Sequence, residues 1–210
     1  MSSRSFTLAG TLALTAAMAC GGATGSAPTK PGIPRDPLAP ERYLPLVHDT
    51  VFAYETSSEA TGERGVLMMA VNRPRPDLAE VKIGGRVQRL DLVSDGIRHA
   101  SGGYLLKSPL AAGSQFRGQF GDVKVTTLER SVEVPAGKFT GCLETVEETR
   151  APVAKRVTTV FCPEVGIVIL VAEGTSDGDY TVERAELRSH GPRIDINNLP
   201  PEQTTGNPRP

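Results

Sequence analysis

The sequence predicts an all-β fold with antiparallel strands, arranged as a sandwich, a strongly curved sheet or a partial barrel. Short runs rich in Val, Ile, Leu, Thr and Phe recur along the middle of the chain, and these residue types are enriched in strands. The chain contains 22 Gly and 17 Pro, many of them in turn-forming clusters between the runs. No window has the apolar periodicity of a substantial amphipathic helix. Closely spaced strands of this kind are typical of sandwiches and barrels.

The strands are predicted from runs that are each bounded by Gly, Pro, Asn or Asp. Clear separators include 72–74 (NRP), 84–85 (GG), 101–103 (SGG) and 135–137 (PAG). In chain order the predicted strands span residues 50–56, 65–71, 78–83, 86–93, 96–99, 104–107, 115–120, 122–134, 140–149, 155–162, 166–172 and 180–188.

Residues 1–19 are predicted to be a signal peptide. A short polar start carrying Arg4 is followed by an uncharged apolar stretch over 6–19, which ends in the small-residue pattern Ala17-Met18-Ala19. This stretch is shorter than the ~20 residues that a membrane-spanning helix needs. The alternative is a buried amino-terminal helix, but the Gly- and Pro-rich residues that follow would give it nothing to pack against.

Cys20 follows this pattern directly and is itself followed by Gly21-Gly22. The segment resembles the lipobox of bacterial lipoproteins, although Ala17 stands where that family prefers Leu. The resemblance implies that Cys20 carries a lipid and that the protein is an outer-membrane lipoprotein facing the periplasm or the cell surface. Ordinary signal peptidase would cut the same bond, so a soluble periplasmic or secreted protein remains the alternative.

The lipidated cysteine and a Pro- and Gly-rich linker are predicted to occupy residues 20–41. Pro28, Pro31, Pro34, Pro37 and Pro40 recur at every third position, which matches the three-residue turn of polyproline II. Either a stiff rod or a disordered linker would serve as a tether. A β-rich envelope domain is then predicted over 42–190, and a disordered tail over 191–210, which lacks apolar periodicity.

Cys142 and Cys162 are predicted to form a disulfide bond. Residues 140–149 and 155–162 fit a β-hairpin centred on Pro152, and in that register the two cysteines face each other. The same register pairs Leu143 with Phe161 and Thr145 with Thr159, and it also pairs Glu148 with Arg156. Opposite residues in an antiparallel ladder are close enough for a disulfide. The alternative is a pair of reduced, buried thiols.

Two strands, 65–71 (GVLMMAV) and 166–172 (GIVILVA), are apolar at consecutive positions. Such strands are covered on both faces of the sheet, or they line a cavity. Ordinary core is the favoured interpretation. The alternative is a pocket for an apolar ligand, lined by Met68, Met69, Ile167, Ile169 and Val171.

Four segments resemble motifs of uncharacterised secreted bacterial lipoproteins. Residues 43–54 are similar to an opening "YxPL…W-x-Y" motif, with Phe52 in place of Trp, and residues 105–113 are similar to "L…PL…G". Residues 134–143 resemble "VPAGTF…CL", and residues 161–168 resemble "YAPGVGLV", with Cys162 at an Ala-like position. The resemblance implies a β-rich envelope domain and brings no catalytic residues, because none are established for these proteins.

The composition excludes some functions. The formal net charge is −1, and only ten residues are Phe or Tyr, with no Trp, so nucleic acid is not an expected partner and stacking platforms for bases or sugars are disfavoured. The chain has no G-x-S-x-G, H-E-x-x-H or C-x-x-C motif, and no cofactor, metal site or catalytic residue is predicted. The alternative function is a secreted hydrolase that uses His48 and Asp49 as base and orienting acid.

Together these features predict an uncharacterised, lipid-anchored protein of the bacterial cell envelope that is not an enzyme. Its role would be binding or structural. The expected partners are the membrane, through the lipid on Cys20, and an apolar small molecule or another envelope protein.

Overall fold

The computed structural model describes residues 38–149, 154–176 and 179–193. One short helix, α1 (Pro40–Tyr43), precedes twelve strands, which together carry nearly all of the regular structure in these residues. The strands are β1 (Thr50–Ser58), β2 (Arg64–Arg75), β3 (Leu78–Ile83), β4 (Arg86–Val93), β5 (Gly96–His99), β6 (Tyr104–Lys107), β7 (Gln115–Arg117), β8 (Asp122–Val134), β9 (Gly137–Thr149), β10 (Lys155–Cys162), β11 (Gly166–Ser176) and β12 (Asp179–Pro192).

All twelve strands form one antiparallel sheet in the order β6-β5-β4-β3-β2-β1-β12-β11-β10-β9-β8-β7. Neighbouring strands in the sheet are also consecutive in the chain, except for β1 and β12. The pairing of β1 with β12 joins the first strand of the chain to the last. The sheet curls into a nearly closed barrel, in which the edge strands β6 and β7 meet. The predicted all-β antiparallel fold is therefore confirmed, and it takes the barrel form.

The seam between β6 and β7 is closed by close packing. Gly103 has a φ of +81°, and a Cβ added there would overlap the Gly118 carbonyl oxygen. Beside this contact the rings of Tyr104 and Phe116 pack edge to face, with centroids 6.4 Å apart. Leu106 and Leu110, on β6 and in the loop after it, are almost completely buried. Small residues and packed side chains thus join the two sheet edges.

The core lies on the concave face of the sheet, and alternate residues of each strand point into it. On β1 these are Phe52 and Tyr54, and on β2 they are Met69 and Val71, all at most 5% exposed. Met68, the residue before Met69, is 52% exposed on the convex face. The prediction that the 65–71 strand is covered on both faces is therefore wrong, because the convex face of β2 is open to solvent.

The other apolar strand, β11, is covered on both faces as predicted. Ile169, paired with the completely buried Val160, is 5% exposed on one face, and Leu170, paired with the buried Thr159, is half-buried on the other. Three register shifts bend the β8–β9 hairpin, and at its tip the Ala136 N–H donates a hydrogen bond to the Leu187 carbonyl on β12. Leu187 is adjacent to Glu186, which is paired with Ile169 on β11. We therefore attribute the burial of Ile169, on the second face of β11, to packing of this hairpin.

The amino-terminal residues of the described chain belong to the core. Tyr43, Leu44 and Leu46 are 3–4% exposed, and the Glu164 N–H donates to the Arg42 carbonyl. Pro40 begins α1 and is also buried. The folded part therefore begins at least two residues before the predicted boundary at 42, since this segment packs against β5 and β11.

Other boundaries differ slightly from the prediction. β2 continues through the predicted turn at 72–74 to Arg75, with a register shift that absorbs the Pro. β12 ends at Pro192, two residues beyond the predicted limit of 190. The predicted signal peptide, the lipidated Cys20, the linker up to residue 37, the hairpin turn at 150–153 and the tail from 194 lie outside the described residues.

Within the described ranges, no helix has the length and apolar character that crossing a membrane requires.

Candidate functional site

A groove of about 420 Å³ opens on the concave face of the barrel, at the end opposite α1. We call it the mouth groove. It lies where β1 and β2 are joined and where β11 and β12 approach their turn. Its apolar wall is formed by Leu67, Leu170 and Ala185, and its charged rim by Glu63, Arg64, Glu183 and Arg184. Its volume is within the ~300–1,000 Å³ of small-molecule sites, which often occupy the mouths of β-barrels.

The strand register brings the apolar wall together. Leu170 on β11 is paired with Ala185 on β12, which in turn is paired with Thr56 on β1. Leu67 on β2 is paired with Tyr54, two residues before Thr56 and on the same face of β1. Because residues two apart on a strand share a face, these side chains all point to the concave side. Four strands thus contribute to one surface.

The bottom of the mouth groove is closed by packed core. Tyr54 is 4% exposed, and its hydroxyl donates a hydrogen bond of 3.0 Å to the Ile167 carbonyl. Burial raises the pKa of Tyr54 above its ordinary value, so the phenol stays neutral. Leu187, paired with Tyr54, is completely buried. Below the groove the core therefore offers apolar side chains and the Tyr54 hydroxyl, whose hydrogen bond is already made within the protein.

The five residues predicted to line an apolar pocket do not share a cavity. Met68 and Met69 point to opposite faces of the sheet, so they cannot line one pocket together. Met69 lies within the core, Ile169 is buried on the other face of its sheet, and Ile167 and Val171 are half-buried.

The mouth groove is lined by the same two strands, but by residues adjacent in sequence to the predicted ones. Leu67 precedes Met68, and Leu170 follows Ile169. In an apolar run, consecutive residues carry no period, so the sequence could not indicate which of them face inward. The sequence signal for the groove is the pair of polar residues Thr56 and Ser58, which lie two apart on β1. They indicate that this end of the concave face is open to solvent.

The predicted disulfide is present. The Cys142 and Cys162 sulfurs are bonded at 2.00 Å, and both residues are completely buried. The hairpin register is also as predicted, since Phe161 pairs with Leu143, Thr159 with Thr145 and Arg156 with Glu148. The bond links β9 to β10 across 20 residues of sequence, in the part of the sheet that carries the core.

His48 and Asp49 do not have the geometry of a catalytic base and its orienting acid. In a serine-hydrolase triad, one ring nitrogen faces the nucleophile and the carboxylate holds the other. Here His48 Nδ1 accepts a hydrogen bond of 3.0 Å from the Arg73 backbone N–H, and Nε2 lies 3.3 Å from Asp49 Oδ2. Both nitrogens are thus occupied, and both side chains are more than half exposed. Asp49 has a φ of +58° and forms a turn that leads into β1.

Among the residues that the structure describes, no three His, Cys, Asp or Glu side chains are grouped so as to hold a metal ion. Cys20, the predicted lipidation site, lies before them.

Neither protein-family models nor curated proteins give a match to the chain. Two solved structures are similar to it. A Bacteroides fragilis protein described as exported and as having a YmcC-like fold is 11% identical, with a TM-score of 0.45, over 69% of this chain and 96% of that one. A Parabacteroides distasonis protein described as a lipoprotein is 14% identical, with a TM-score of 0.37, over 70% of this chain and 96% of that one. These similarities are too distant to assign a family or a function.

Proposed function

We propose that the protein is a lipid-anchored component of the bacterial cell envelope whose barrel binds the apolar chain of a ligand in the mouth groove. The observation that carries the binding role is the apolar wall of Leu67, Leu170 and Ala185, which opens to solvent beneath a charged rim. This arrangement suits a ligand with an apolar chain and a polar end, because the wall removes the chain from water and the rim solvates the end. In this role the protein binds and performs no reaction.

The disulfide supports a location outside the cytoplasm. Disulfides form and persist in oxidising compartments and are rare in the reducing cytosol. The chain has three cysteines, and two of them are used by the Cys142–Cys162 bond. Cys20 is then left unpaired within the chain, as the lipid acceptor of a lipoprotein must be. With Gly21 after it, the anchor is proposed to lie in the outer membrane, and a soluble periplasmic protein is the alternative.

The binding role is tested with a fluorescent fatty acid, dansyl-labelled undecanoic acid, titrated into the folded protein. The variant Leu67→Asn places an amide in the apolar wall and is expected to weaken binding about tenfold, since a buried Leu contributes roughly 1.5–3 kcal/mol. Met68→Asn is the matched control, because the adjacent side chain points to solvent on the convex face.

Equal affinities of the two variants, or no binding by the unmodified protein, would overturn the binding role. Urea denaturation of both variants shows whether each keeps its fold, so that a loss of binding is not confused with unfolding.

The anchor is tested separately by phase partition in a detergent that clouds on warming, followed by intact-mass analysis. The unmodified protein from bacterial membranes is expected in the detergent phase, with added acyl mass on Cys20. Cys20→Ser is expected in the aqueous phase. If the unmodified protein also partitions into the aqueous phase with no added mass, the soluble alternative is correct.

A further inference from the structure

A second groove, of about 780 Å³, crosses the convex face of the sheet over β7, β8, β9 and β10. We call it the outer groove. A smaller hollow of about 250 Å³ continues it towards Tyr180 on β12 and shares Glu148, Thr149 and Arg156 with it. It is separate from the mouth groove, because the residues that line it alternate with those that face the core. Val125 on β8, for example, lies between the lining residues Lys124 and Thr126, points inward and is 0% exposed.

A ladder of charged residues runs across the outer groove. Arg117, Asp122, Glu148, Arg156 and Glu173 are directly paired from one strand to the next. Four steps between strands of ~4.8 Å give the ladder a length of about 19 Å. It therefore presents hydrogen-bond donors at two positions and acceptors at three to an extended ligand that lies across the strands.

These charges contribute little to the stability of the fold. The Arg117–Asp122 distance is 3.4 Å and the Arg156–Glu148 distance is 4.0 Å, and the four side chains are between 52% and 82% exposed. Ion pairs this exposed typically contribute less than about 1 kcal/mol. Their guanidinium and carboxylate groups remain accessible, so a ligand can bond to them without breaking a buried interaction.

Two aromatic rings lie along the same path. Phe120 is 49% exposed and Tyr180 is 64% exposed, although large aromatic side chains are usually well buried. Lys155 Nζ lies over the Phe120 ring, 4.7 Å from its centroid. The composition gave few candidates for stacking platforms, and the fold places two of them beside the charged ladder.

The charges around the outer groove almost cancel. Lys124 and Lys155 add to Arg117 and Arg156, which makes four cations against the three anions of the ladder. A strongly charged ligand of either sign gains little from such a surface, because attraction at some positions is offset by repulsion at others. A neutral ligand rich in hydroxyl groups can donate to the carboxylates and accept from the guanidinium groups.

From this geometry we propose that the outer groove binds a neutral, extended oligosaccharide, with its hydroxyl groups on the charged ladder and sugar faces against Phe120 and Tyr180. This site is independent of the proposed apolar ligand and of the lipid anchor.

The experiment measures retention of the folded protein on immobilised neutral oligosaccharides of glucose, galactose, mannose and N-acetylglucosamine. Heparin and polylysine serve as polyanion and polycation probes. At least one neutral oligosaccharide is expected to bind. Phe120→Ala and Arg156→Ala are each expected to weaken that binding by about tenfold.

Arg188→Ala is the matched control, because Arg188 also forms an exposed ion pair, with Glu55, but lies away from the groove. It is expected to bind like the unmodified protein, and so is Leu67→Asn, which alters only the mouth groove. The proposal is overturned if no neutral oligosaccharide binds or if only heparin or polylysine is retained. It is also overturned if Arg188→Ala loses as much affinity as Arg156→Ala.

Discussion

The backbone of Gly103, just before β6, lies against the carbonyl group of Gly118, just after β7. No side chain fits between them, and this contact brings the two edges of the sheet together. We expect Gly103→Ala to destabilise the barrel by at least about 2 kcal/mol more than Gly102→Ala, since overpacking against backbone is costly.

The comparison isolates the seam because both glycines have positive φ, at +81° and +104°, and therefore share the backbone strain of a substitution. A Cβ at Gly102 meets nothing within 4 Å. Urea denaturation of both variants gives the free energies of unfolding. Equal losses would show that the contact at the seam does not limit the fold.

Removal of the disulfide is expected to lower the free energy of unfolding by about 3 kcal/mol. The bond closes a loop of 20 residues, and the chain-entropy estimate for that length gives this value. The double variant Cys142→Ala/Cys162→Ala is compared with the oxidised protein by urea denaturation.

A mild reductant added to the folded protein provides a control on access, because both cysteines are completely buried. The bond should resist reduction until urea unfolds the chain. Rapid reduction of the folded protein at low urea would contradict the observed burial.

Tyr54→Phe is expected to lower the free energy of unfolding by about 1–3 kcal/mol. The variant removes a buried hydroxyl and leaves the Ile167 carbonyl without the partner that it has at 3.0 Å. Urea denaturation measures the loss, and the dansyl fatty acid shows whether the groove above Tyr54 is kept. A variant as stable as the unmodified protein would mean that water replaces the hydroxyl.

His99 is expected to make stability depend on pH. It is 7% exposed, and burial lowers its pKa below the ordinary 6.5, while the nearby Glu147 carboxylate opposes that shift. Because the unfolded chain binds the proton more readily, the free energy of unfolding should fall as pH drops below about 6.5. Urea denaturation at a series of pH values should give a flatter profile for His99→Gln. An unchanged profile would assign the dependence to other groups.

The hairpin of β9 and β10 could be predicted from sequence because its information is local. Its two strands are close together in sequence. A single register brings Cys142 opposite Cys162 and also pairs Glu148 with Arg156. The pairing of β1 with β12 has no such local signal, since it joins residues as far apart as Thr50 and Pro192. Closure of the barrel depends on that pairing and on the contact at Gly103.

The candidate sites were predicted less well for a related reason. An apolar run such as 65–71 identifies a strand but not the face that each residue occupies, so neither the favoured core nor the alternative pocket accounts for the exposed Met68. The charged ladder of the outer groove spans five strands, and its residues are far apart in sequence. Only the assembled sheet brings Arg117 and Arg156 into the same groove.

The burial of Tyr43, Leu44 and Leu46 also affects how the barrel responds to force. If the chain is held at Cys20, any pull along the tether reaches these three side chains before it reaches β1. The first event under tension would be their extraction from the core, which would uncover Gly166 beside Leu44. Under force these amino-terminal residues are therefore expected to detach first. The hydrogen bonds between the strands would bear the tension only after that.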